Sequence, residues 1–209
     1  MTNGRFLSLE GGEGAGKSTQ ARALAAALEA RGRSAIVTRE PGGSEGAEAI
    51  RALLMQGDAA RWSAATEALL FAAARADHVE KVIRPAIAAG QWVICDRYVD
   101  STRAYQGVAG GMDDAAILSL HDFGSGGLLP DRTYLLELPV AAGAARATER
   151  DGVAADRFAA RDVAFHAAVA GAFDRIAARE PARFRRIDAA RPAEDVTRAI
   201  LADLEEWLA

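Results

Sequence analysis

Eight residues near the start of the chain have the types and spacing of a phosphate-binding loop. The run GGEGAGKS at residues 11–18 fits the pattern G-x-x-x-x-G-K-[ST]. Lys17 would bring a positive charge to the β- and γ-phosphates of a nucleotide, and Ser18 a hydroxyl to Mg²⁺. A glycine-rich turn that binds nothing is the alternative. The apolar run 6–10 before the loop and the Ala- and Leu-rich run 18–30 after it favour the phosphate loop, because they predict the strand and the helix that it needs.

A second candidate group ends another apolar run, WVICD at residues 92–96. In a phosphate-loop enzyme, an acid in the position of Asp96 lies beside the shell of the Mg²⁺ ion. Arg97 follows it directly, and a guanidinium can bind a phosphate through two parallel N–H bonds. The alternative is a strand end with an ordinary surface ion pair. The phosphate loop in the same chain favours the functional interpretation.

Two further segments could bind a small molecule. The run TREPGG at 38–43 has the Pro and Gly of a tight loop, and Arg51 follows on the next predicted helix. Phe71 and Arg75 are spaced i, i+4 and therefore share a helix face, from which they could stack on a base and hydrogen-bond to it. A plain turn, a core phenylalanine and solvated arginines explain the same residues, so the alternatives stay open here.

Four arginines surround a polar break at residues 151–156. Near a phosphate loop, an arginine from such a segment could close on the phosphoryl group in transfer and stabilise its charge. A solvated face crossed by ion pairs is the other interpretation. The arginines are Arg146, Arg150, Arg157 and Arg161.

These groups must be held by elements that alternate along the chain. Strands are predicted at 6–10, 34–39, 91–96, 132–138 and 183–188. Helices are predicted at 17–31, 45–55, 64–89, 113–123, 141–150, 158–179 and 193–208. This alternation predicts an α/β fold with a parallel five-stranded sheet and helices on both faces. The candidate groups would then meet beyond the carboxyl ends of the strands, where such sheets bind ligands.

Composition narrows the class of protein. The chain has 209 residues, half of them hydrophobic, which predicts one domain with a real core over 1–209. The net charge of −4 and the lack of a long basic run do not suggest a nucleic-acid partner. The single cysteine, Cys95, cannot form an internal disulfide, and no signal peptide or membrane span is visible, so we expect a cytoplasmic protein. His78, His121 and His166 have no metal-ligand spacing and are interpreted as structural or surface residues.

Together, these segments resemble the thymidylate kinase family, phosphate-loop enzymes that phosphorylate dTMP to dTDP. The resemblance runs nearly the full chain. A phosphate loop alone is unspecific, whereas this order of motifs is highly specific. The motifs are EGGEGAGKST at 10–19, TREPGG at 38–43, Leu70-Phe71 through Arg75, and Asp96-Arg97-Tyr98 through Tyr105-Gln106-Gly107.

The resemblance implies roles for individual residues. Those implied to bind ATP are Gly11, Gly12, Glu13, Gly14, Ala15, Gly16, Lys17, Ser18, Thr19 and Arg146. Those implied to bind dTMP are Glu40, Pro41, Arg51, Phe71, Arg75, Arg97, Ser101, Thr102, Tyr105 and Gln106. Those implied to act in catalysis are Lys17, Glu13, Arg97 and a lid arginine, Arg150 or Arg157. Ser18 and Asp96 are implied to lie at the Mg²⁺.

Within these sets, the resemblance assigns a part of the acceptor to each side chain. Arg97 and Arg51 would bind the phosphate of dTMP, Phe71 would stack on thymine, and Arg75 and Thr102 would contact the base. Glu13 would contact the sugar, and the Tyr105 ring would guard it. Similar enzymes often carry an acid after the Asp-Arg pair of the lid, where this chain has FAA at 158–160. The choice of lid arginine therefore stays open.

The activity implied by the resemblance is Mg²⁺- and ATP-dependent phosphorylation of dTMP, with a short mobile lid at about 146–161. The family is usually homodimeric. Two alternatives remain: a kinase of another small phosphorylated or nucleoside acceptor, and a nucleotide-driven switch with a protein partner. A switch needs no second phosphate site, so Arg97 and the Phe71–Arg75 pair speak against it.

Overall fold

The computed structural model describes residues 4–58, 60–151, 157–159 and 161–208. Its five strands are all parallel and lie in the order β2-β3-β1-β4-β5. They are β1 (Arg5–Glu10), β2 (Ala35–Arg39), β3 (Trp92–Asp96), β4 (Arg132–Glu137) and β5 (Phe184–Asp188). Each predicted strand is present within two residues of its expected ends, and the predicted parallel five-stranded sheet is confirmed.

The helices of the described residues lie between these strands and after the last of them. They are α1 (Lys17–Glu29), α2 (Glu45–Met55), α3 (Ala64–His78), α4 (Arg84–Ala88), α5 (Val99–Thr102), α6 (Asp114–Ser125), α7 (Val140–Asp151), α8 (Val163–Arg179) and α9 (Ala193–Leu208). A π-helical turn at Val79–Ile83 joins α3 to α4, so the helix predicted at 64–89 is present with an irregular middle. No helix in the described ranges has the length and apolar character that a membrane span requires.

Two helical predictions needed correction. The helix predicted from residue 158 begins at Val163, because the Asp162 side chain accepts a hydrogen bond from the backbone N–H of Phe165 and caps the helix there. The structure also contains a helix that was not among those predicted, α5, which continues as a π-helical segment at Arg103–Val108. This added helix is important because it carries four of the predicted substrate-binding residues.

Apolar side chains cover both faces of the sheet. On one face, Leu7 and Leu9 pack in a buried cluster with Leu24 of α1 and Ile200 of α9. The other face holds two clusters, one around Phe6, Val93 and Ile83 and one around Leu135 and Phe173. Strands buried on both faces read as continuous apolar runs, which is why the sequence pattern located them well.

The strand order places the predicted groups at one edge. The central strand β1 lies between β3 and β4, and Leu9 is in register with Asp96. The loop that follows β1 and the residues that follow β3 therefore leave the sheet side by side. Ligands of open α/β sheets bind in the crevice beyond these carboxyl ends.

Candidate active site

The phosphate loop leads directly into the N-terminus of α1. Gly16 precedes the helix with φ of 89°, and no side chain caps the helix. The first turn of α1 also contains no acidic residue. The N–H groups of this helix start are therefore left to an anionic ligand, as the loop motif predicts. The Nζ of Lys17 donates to the carbonyl oxygens of Gly11 (3.2 Å) and Gly12 (2.7 Å), which keeps the ammonium inside the loop.

Close packing explains one of the loop glycines. Gly14 has φ of 67°, and a Cβ at this position would clash with the carbonyl oxygen of Gly143 in α7. Gly143 in turn lies against the carbonyl oxygen of Glu13, where a Cβ would also clash. The two glycines let the loop rest on the first turn of α7. The loop is thereby attached to the helix that leads into the predicted lid.

Two side-chain oxygens that could bind a metal lie together at the carboxyl ends of β1 and β3. The Ser18 hydroxyl donates a short hydrogen bond to Oδ2 of Asp96. Hydroxyl and carboxylate oxygens are the ligands that Mg²⁺ prefers, and Mg²⁺ usually completes its shell with waters and substrate phosphates. Among the described residues there is no cluster of three or more His, Cys, Asp or Glu that could hold a metal. The pair therefore suits an ion shared with a nucleotide rather than a cage made by the protein alone.

Arg97 is the centre of the charged part of the site. Its backbone has φ of 69°, and its guanidinium donates to Oε1 of Glu13 (2.6 Å) and to the Gly11 carbonyl oxygen (3.1 Å). The Tyr105 hydroxyl also donates to Oε1 of Glu13 (3.1 Å), and the guanidinium lies 5.1 Å from the centre of the Tyr105 ring. A left-handed backbone is uncommon for residues other than glycine, and such conformations concentrate at functional sites.

Glu10, to which the sequence analysis gave no role in the site, supports Arg97 through Ser101. One carboxyl oxygen accepts a hydrogen bond from the backbone N–H of Tyr98 (2.8 Å), and the other from the Ser101 hydroxyl (2.6 Å). Ser101 Oγ also accepts a hydrogen bond from Arg97 (3.1 Å). Burial, together with the charge of Asp100, raises the pKa of Glu10 above its ordinary value. Because it ends an apolar strand, its sequence context resembles that of Asp96, and this was the available signal.

Opposite charges in the site shift two further pKa values. Burial alone would raise the pKa of Glu13, but the charges of Arg97 and Lys17 outweigh it and lower that pKa to about 2. Burial and the positive charge of Arg97 lower the pKa of Lys17 to about 8. At neutral pH the site thus holds a carboxylate between two cations. Such a cluster can bind a phosphate group while keeping the acid ionised.

The far end of the site contains a buried arginine. Nε of Arg75 donates to Oε2 of Glu40 (2.7 Å), and Nη2 donates to Oγ1 of Thr102 (2.8 Å). The other oxygen of Glu40 lies 3.1 Å from Nδ1 of His78, whose Nε2 lies 2.7 Å from the Thr38 hydroxyl. These contacts hold the Arg75 guanidinium in one orientation. Among the alternatives, the solvated arginine is therefore wrong for position 75, because Arg75 is buried in this network.

The other residues predicted to bind dTMP lie around this network. Arg51 donates to the carbonyl oxygen of Pro41 (2.8 Å), which ties α2 to the loop after β2. Phe71 is half-buried on α3 and contacts the ring of Phe158, with the ring centres 5.8 Å apart. Gln106 donates through Nε2 to the Glu67 carboxylate at 2.9 Å.

Two of the predicted lid arginines, Arg157 and Arg146, bond to different parts of the fold. The Arg157 guanidinium is buried and donates to Glu67 and to the carbonyl oxygen of Leu54 (3.1 Å), so it lies on the side of α3 rather than of the phosphate loop. Arg146 donates to the Ala189 carbonyl oxygen just beyond β5 (3.1 Å). Arg150 is part of α7, but its side chain lies outside the described residues, as do residues 152–156 and 160 of the predicted lid.

One cavity of about 530 Å³ brings most of the predicted residues together. Its lining includes Glu13, Gly14, Gly16, Lys17, Ser18, Thr19, Glu40, Pro41, Arg51, Phe71, Arg75, Asp96, Arg97, Ser101, Thr102, Tyr105 and Gln106. Ala15 of the loop is buried, and Gly11 and Gly12 line a neighbouring cavity of about 480 Å³. The phosphate loop, Arg97, Arg51 and the ring of Phe71 therefore line one continuous site.

Glu67 was missed, whereas His78 has the structural place that was one of its two interpretations. Both are buried on α3 and contact predicted site residues, Gln106 and Glu40. Both lie at helical spacing from Phe71 and Arg75, on the same face of α3. A charged residue on the buried face of an Ala-rich helix was the signal that could have identified Glu67.

Comparisons with known proteins agree with this arrangement. The family model for thymidylate kinase matches residues 9–200. A thymidylate kinase of Rhizorhabdus wittichii is 60% identical over 205 residues, which cover 98% of this chain and 99% of that protein. A thymidylate kinase of Caulobacter vibrioides is 53% identical over 200 residues, covering 96% of this chain and 95% of that protein.

The fold is also that of a solved relative. The crystal structure of thymidylate kinase from Ehrlichia chaffeensis matches with a TM-score of 0.77 at 30% identity, covering 97% of this chain and 99% of that one. Since the family model spans most of the chain and the relatives match it over nearly their full lengths, the motifs and the fold lead to one assignment. The chain belongs to the thymidylate kinase family.

Proposed function

We propose that this chain transfers the γ-phosphoryl group of ATP to dTMP, giving dTDP and ADP, in the cavity described above. The observation that carries the proposal is the continuity of that cavity. Its lining includes Lys17 of the phosphate loop, the arginines Arg97 and Arg51, and the aromatic ring of Phe71. A donor and a monophosphate acceptor could therefore lie end to end.

The end of the site that would bind ATP, the phosphoryl donor, is formed by the phosphate loop. The N–H groups at the start of α1 and the ammonium of Lys17 would bind the β- and γ-phosphates of ATP. Ser18 and Asp96 would hold Mg²⁺, which supplies positive charge to those phosphates when it is bound. Arg146, held at the Ala189 carbonyl oxygen beyond β5, is our candidate for a contact to the remainder of ATP.

The acceptor phosphate would lie at Arg97 and Arg51. Their guanidinium groups would aim one phosphate oxygen of dTMP at the γ-phosphorus, in line with the bond to ADP. That oxygen forms the new P–O bond as the bond to ADP breaks, and no covalent enzyme intermediate is needed. Catalysis is then positioning together with stabilisation of the charge on the equatorial oxygens.

The base would be read at the other end of the cavity. Phe71 is exposed enough to stack on thymine, and Arg75 together with Thr102 can donate to a carbonyl oxygen of the ring. The Oε1 atom of Gln106 is buried and has no hydrogen-bond partner among the described residues. We propose that it accepts a hydrogen bond from N3–H of thymine, because a buried unpaired oxygen is costly and the base offers a donor.

The sugar would lie between these two ends, against Glu13 and the ring of Tyr105. Glu13 is ionised, so it can accept a hydrogen bond from a sugar hydroxyl. The Tyr105 ring is packed against Arg97 and three phenylalanines and is therefore rigid. A rigid ring is the simplest device for excluding a 2′-hydroxyl.

The catalytic lid arginine is proposed to be Arg150 or Arg157. In the described structure, Arg157 pairs with Glu67, so a direct role would require that pair to open. Opening a buried ion pair is costly because it leaves one charge without its partner. This cost favours Arg150 of the two.

The surface of two packed helices bears on the quaternary state. Large apolar side chains are exposed on two helices that pack together, Leu69 of α3 (58% exposed) and Phe123 of α6 (94%). A Cβ at Gly124 of α6 would lie 3.4 Å from the Cβ of Ala76 of α3, which shows how closely the two helices approach. Exposed apolar residues of this size support a homodimer through α3 and α6. We also propose one nucleoside monophosphate kinase domain over 1–209, in the cytoplasm.

The test is a coupled assay of ATP turnover with dTMP and a panel of other nucleoside monophosphates, with and without Mg²⁺. We expect dTMP to give the highest kcat/KM and chelation of Mg²⁺ to abolish turnover. A better acceptor than dTMP would assign the chain to a different kinase activity. Slow ATP hydrolysis that no nucleotide stimulates would support the switch instead.

A further inference from the structure

Glu67 links two residues of the proposed site that are far apart in the chain. It lies on α3, one turn before Phe71, and is 3% exposed. One carboxylate oxygen accepts a short hydrogen bond from the guanidinium of Arg157, and the other accepts from Nε2 of Gln106 at 2.9 Å. Arg157 and Gln106 are themselves buried. The three side chains thus form a buried, hydrogen-bonded row beside the end of the cavity where the base is proposed to bind.

The chemistry of this row determines how the Gln106 amide points. A guanidinium only donates hydrogen bonds and is always charged, so Glu67 facing Arg157 is a carboxylate. A carboxylate only accepts hydrogen bonds, so the amide of Gln106 must present its NH₂ group to Glu67. Its carbonyl oxygen then points away from Glu67. This is the oxygen without a hydrogen-bond partner among the described residues.

We propose that Glu67 is a positioning residue that makes the site selective for a pyrimidine with a protonated N3 and carbonyl groups beside it. The inference rests on the proposed function, in which the Gln106 carbonyl oxygen meets the base. Thymine and uracil carry a hydrogen on N3 and can donate it to that oxygen. In cytosine N3 is an acceptor, so the two lone pairs would face each other. Glu67 therefore acts on selectivity through Gln106, without touching the base.

Glu67→Gln tests this orientation directly. The introduced amide would turn its carbonyl oxygen toward the donor-only Arg157 and its NH₂ group toward Gln106. The Gln106 amide must then flip to accept, and it presents its NH₂ group to the base. We expect the ratio of kcat/KM for dTMP to that for 5-methyl-dCMP to fall by about 10- to 100-fold, the effect of mispairing one buried hydrogen-bonding group.

The two nucleotides and a second variant make the comparison specific. 5-Methyl-dCMP has the methyl group of dTMP and differs from it at positions 3 and 4 of the ring, so the ratio reports hydrogen bonding rather than shape. Glu67→Asp keeps an acceptor-only group and should keep the ratio within about threefold, even where the shorter side chain lowers turnover of both nucleotides. A purely structural role would lower both activities together in both variants and leave the ratio unchanged.

Gln106→Leu completes the test and stands in if Glu67→Gln does not fold. It should lower the ratio by itself, and Glu67→Gln added to it should change the ratio no further, because the path through the amide is gone. An unchanged ratio in Glu67→Gln or in Gln106→Leu would overturn the inference. Failure of the proposed function is distinguishable, since the unaltered protein would then show no preference for dTMP at all.

Discussion

Replacement of Tyr105 tests how the site recognises a deoxyribose. The ring is buried among Phe158, Phe165 and Phe173, with ring centres 5.9 to 6.5 Å away, and it lies against the guanidinium of Arg97. Its hydroxyl donates to Glu13 at 3.1 Å. The ring and the hydroxyl can therefore have different roles, and two substitutions distinguish these roles. Tyr105→Ala removes both, and Tyr105→Phe removes the hydroxyl alone.

The two changes should differ in size and in kind. Tyr105→Ala leaves a cavity in an aromatic cluster, which we expect to cost about 3–5 kcal/mol of unfolding free energy. At roughly 2–4 °C per kcal/mol for a chain of this length, Tm should fall by about 6–20 °C. Tyr105→Phe loses one hydrogen bond to a charged acceptor, about 1.5–3 kcal/mol at most, and keeps the ring.

Selectivity should follow the ring. In the proposed site, the ring would reject a 2′-hydroxyl by leaving it buried without a partner, at about 1–3 kcal/mol. We therefore expect Tyr105→Ala to lower the preference for dTMP over ribothymidine 5′-monophosphate by about 10- to 100-fold.

The assay is kcat/KM for both nucleotides, measured below the Tm of the variants, with the KM for ATP as the internal control. Tyr105→Phe should keep the preference. An unchanged ratio in Tyr105→Ala would clear the ring of this role and move selectivity to Glu13. Equal loss in both variants would assign it to the hydroxyl.

Further predictions concern the rest of the site. Lys17→Ala should keep Tm and lower kcat by about 10²-fold or more, since the charge on the β- and γ-oxygens loses its partner; loss under threefold would refute the loop assignment. With the pKa of Lys17 lowered to about 8, its charge is present below that pH and lost above it, so kcat/KM for ATP should fall as pH rises through about 8. At least one of Arg150→Ala and Arg157→Ala should lower kcat by about 10²-fold or more, and two unaffected variants would disprove the lid role. Arg150→Ala should do so with little change in KM for dTMP, whereas Arg157→Ala also removes the ion-pair partner of Glu67. Phe71→Ala should raise KM for dTMP about tenfold and leave KM for ATP unchanged; equal weakening of both would make Phe71 a core residue.

Local patterns in the sequence were sufficient to predict the half of the site that would bind ATP. The phosphate loop needs only a strand, a glycine-rich turn and a helix start, all within residues 5–29, and these three are adjacent in the chain. Asp96 was identified for the same reason, since it ends an apolar run, and Arg97, which is proposed to bind the acceptor phosphate, follows it directly. Because parallel strands end at one edge of the sheet, predicting the fold also predicted that these groups meet.

The arrangement of the half of the site that would bind dTMP depends on contacts between residues that are distant in the sequence, and no local pattern encodes these contacts. Glu10 reaches Ser101 across 91 positions, Arg75 reaches Glu40 across 35, and Arg157 reaches Glu67 across 90. The local sequence can hint that such a side chain is buried, but it does not identify the partner, because the partner is distant in sequence.

The sequence by itself determined the class of fold and the phosphate loop, and the resemblance to a family added most of the other residues around the cavity. The periodicities and turn chemistry behind the fold and the loop act over a few residues, so they can be read without knowing the rest of the chain. The tertiary structure alone decided which buried charges pair, that Arg157 lies beside α3, and which way the amide of Gln106 points. Those outcomes depend on desolvation, which forces a buried charge to find its partner wherever packing has placed it.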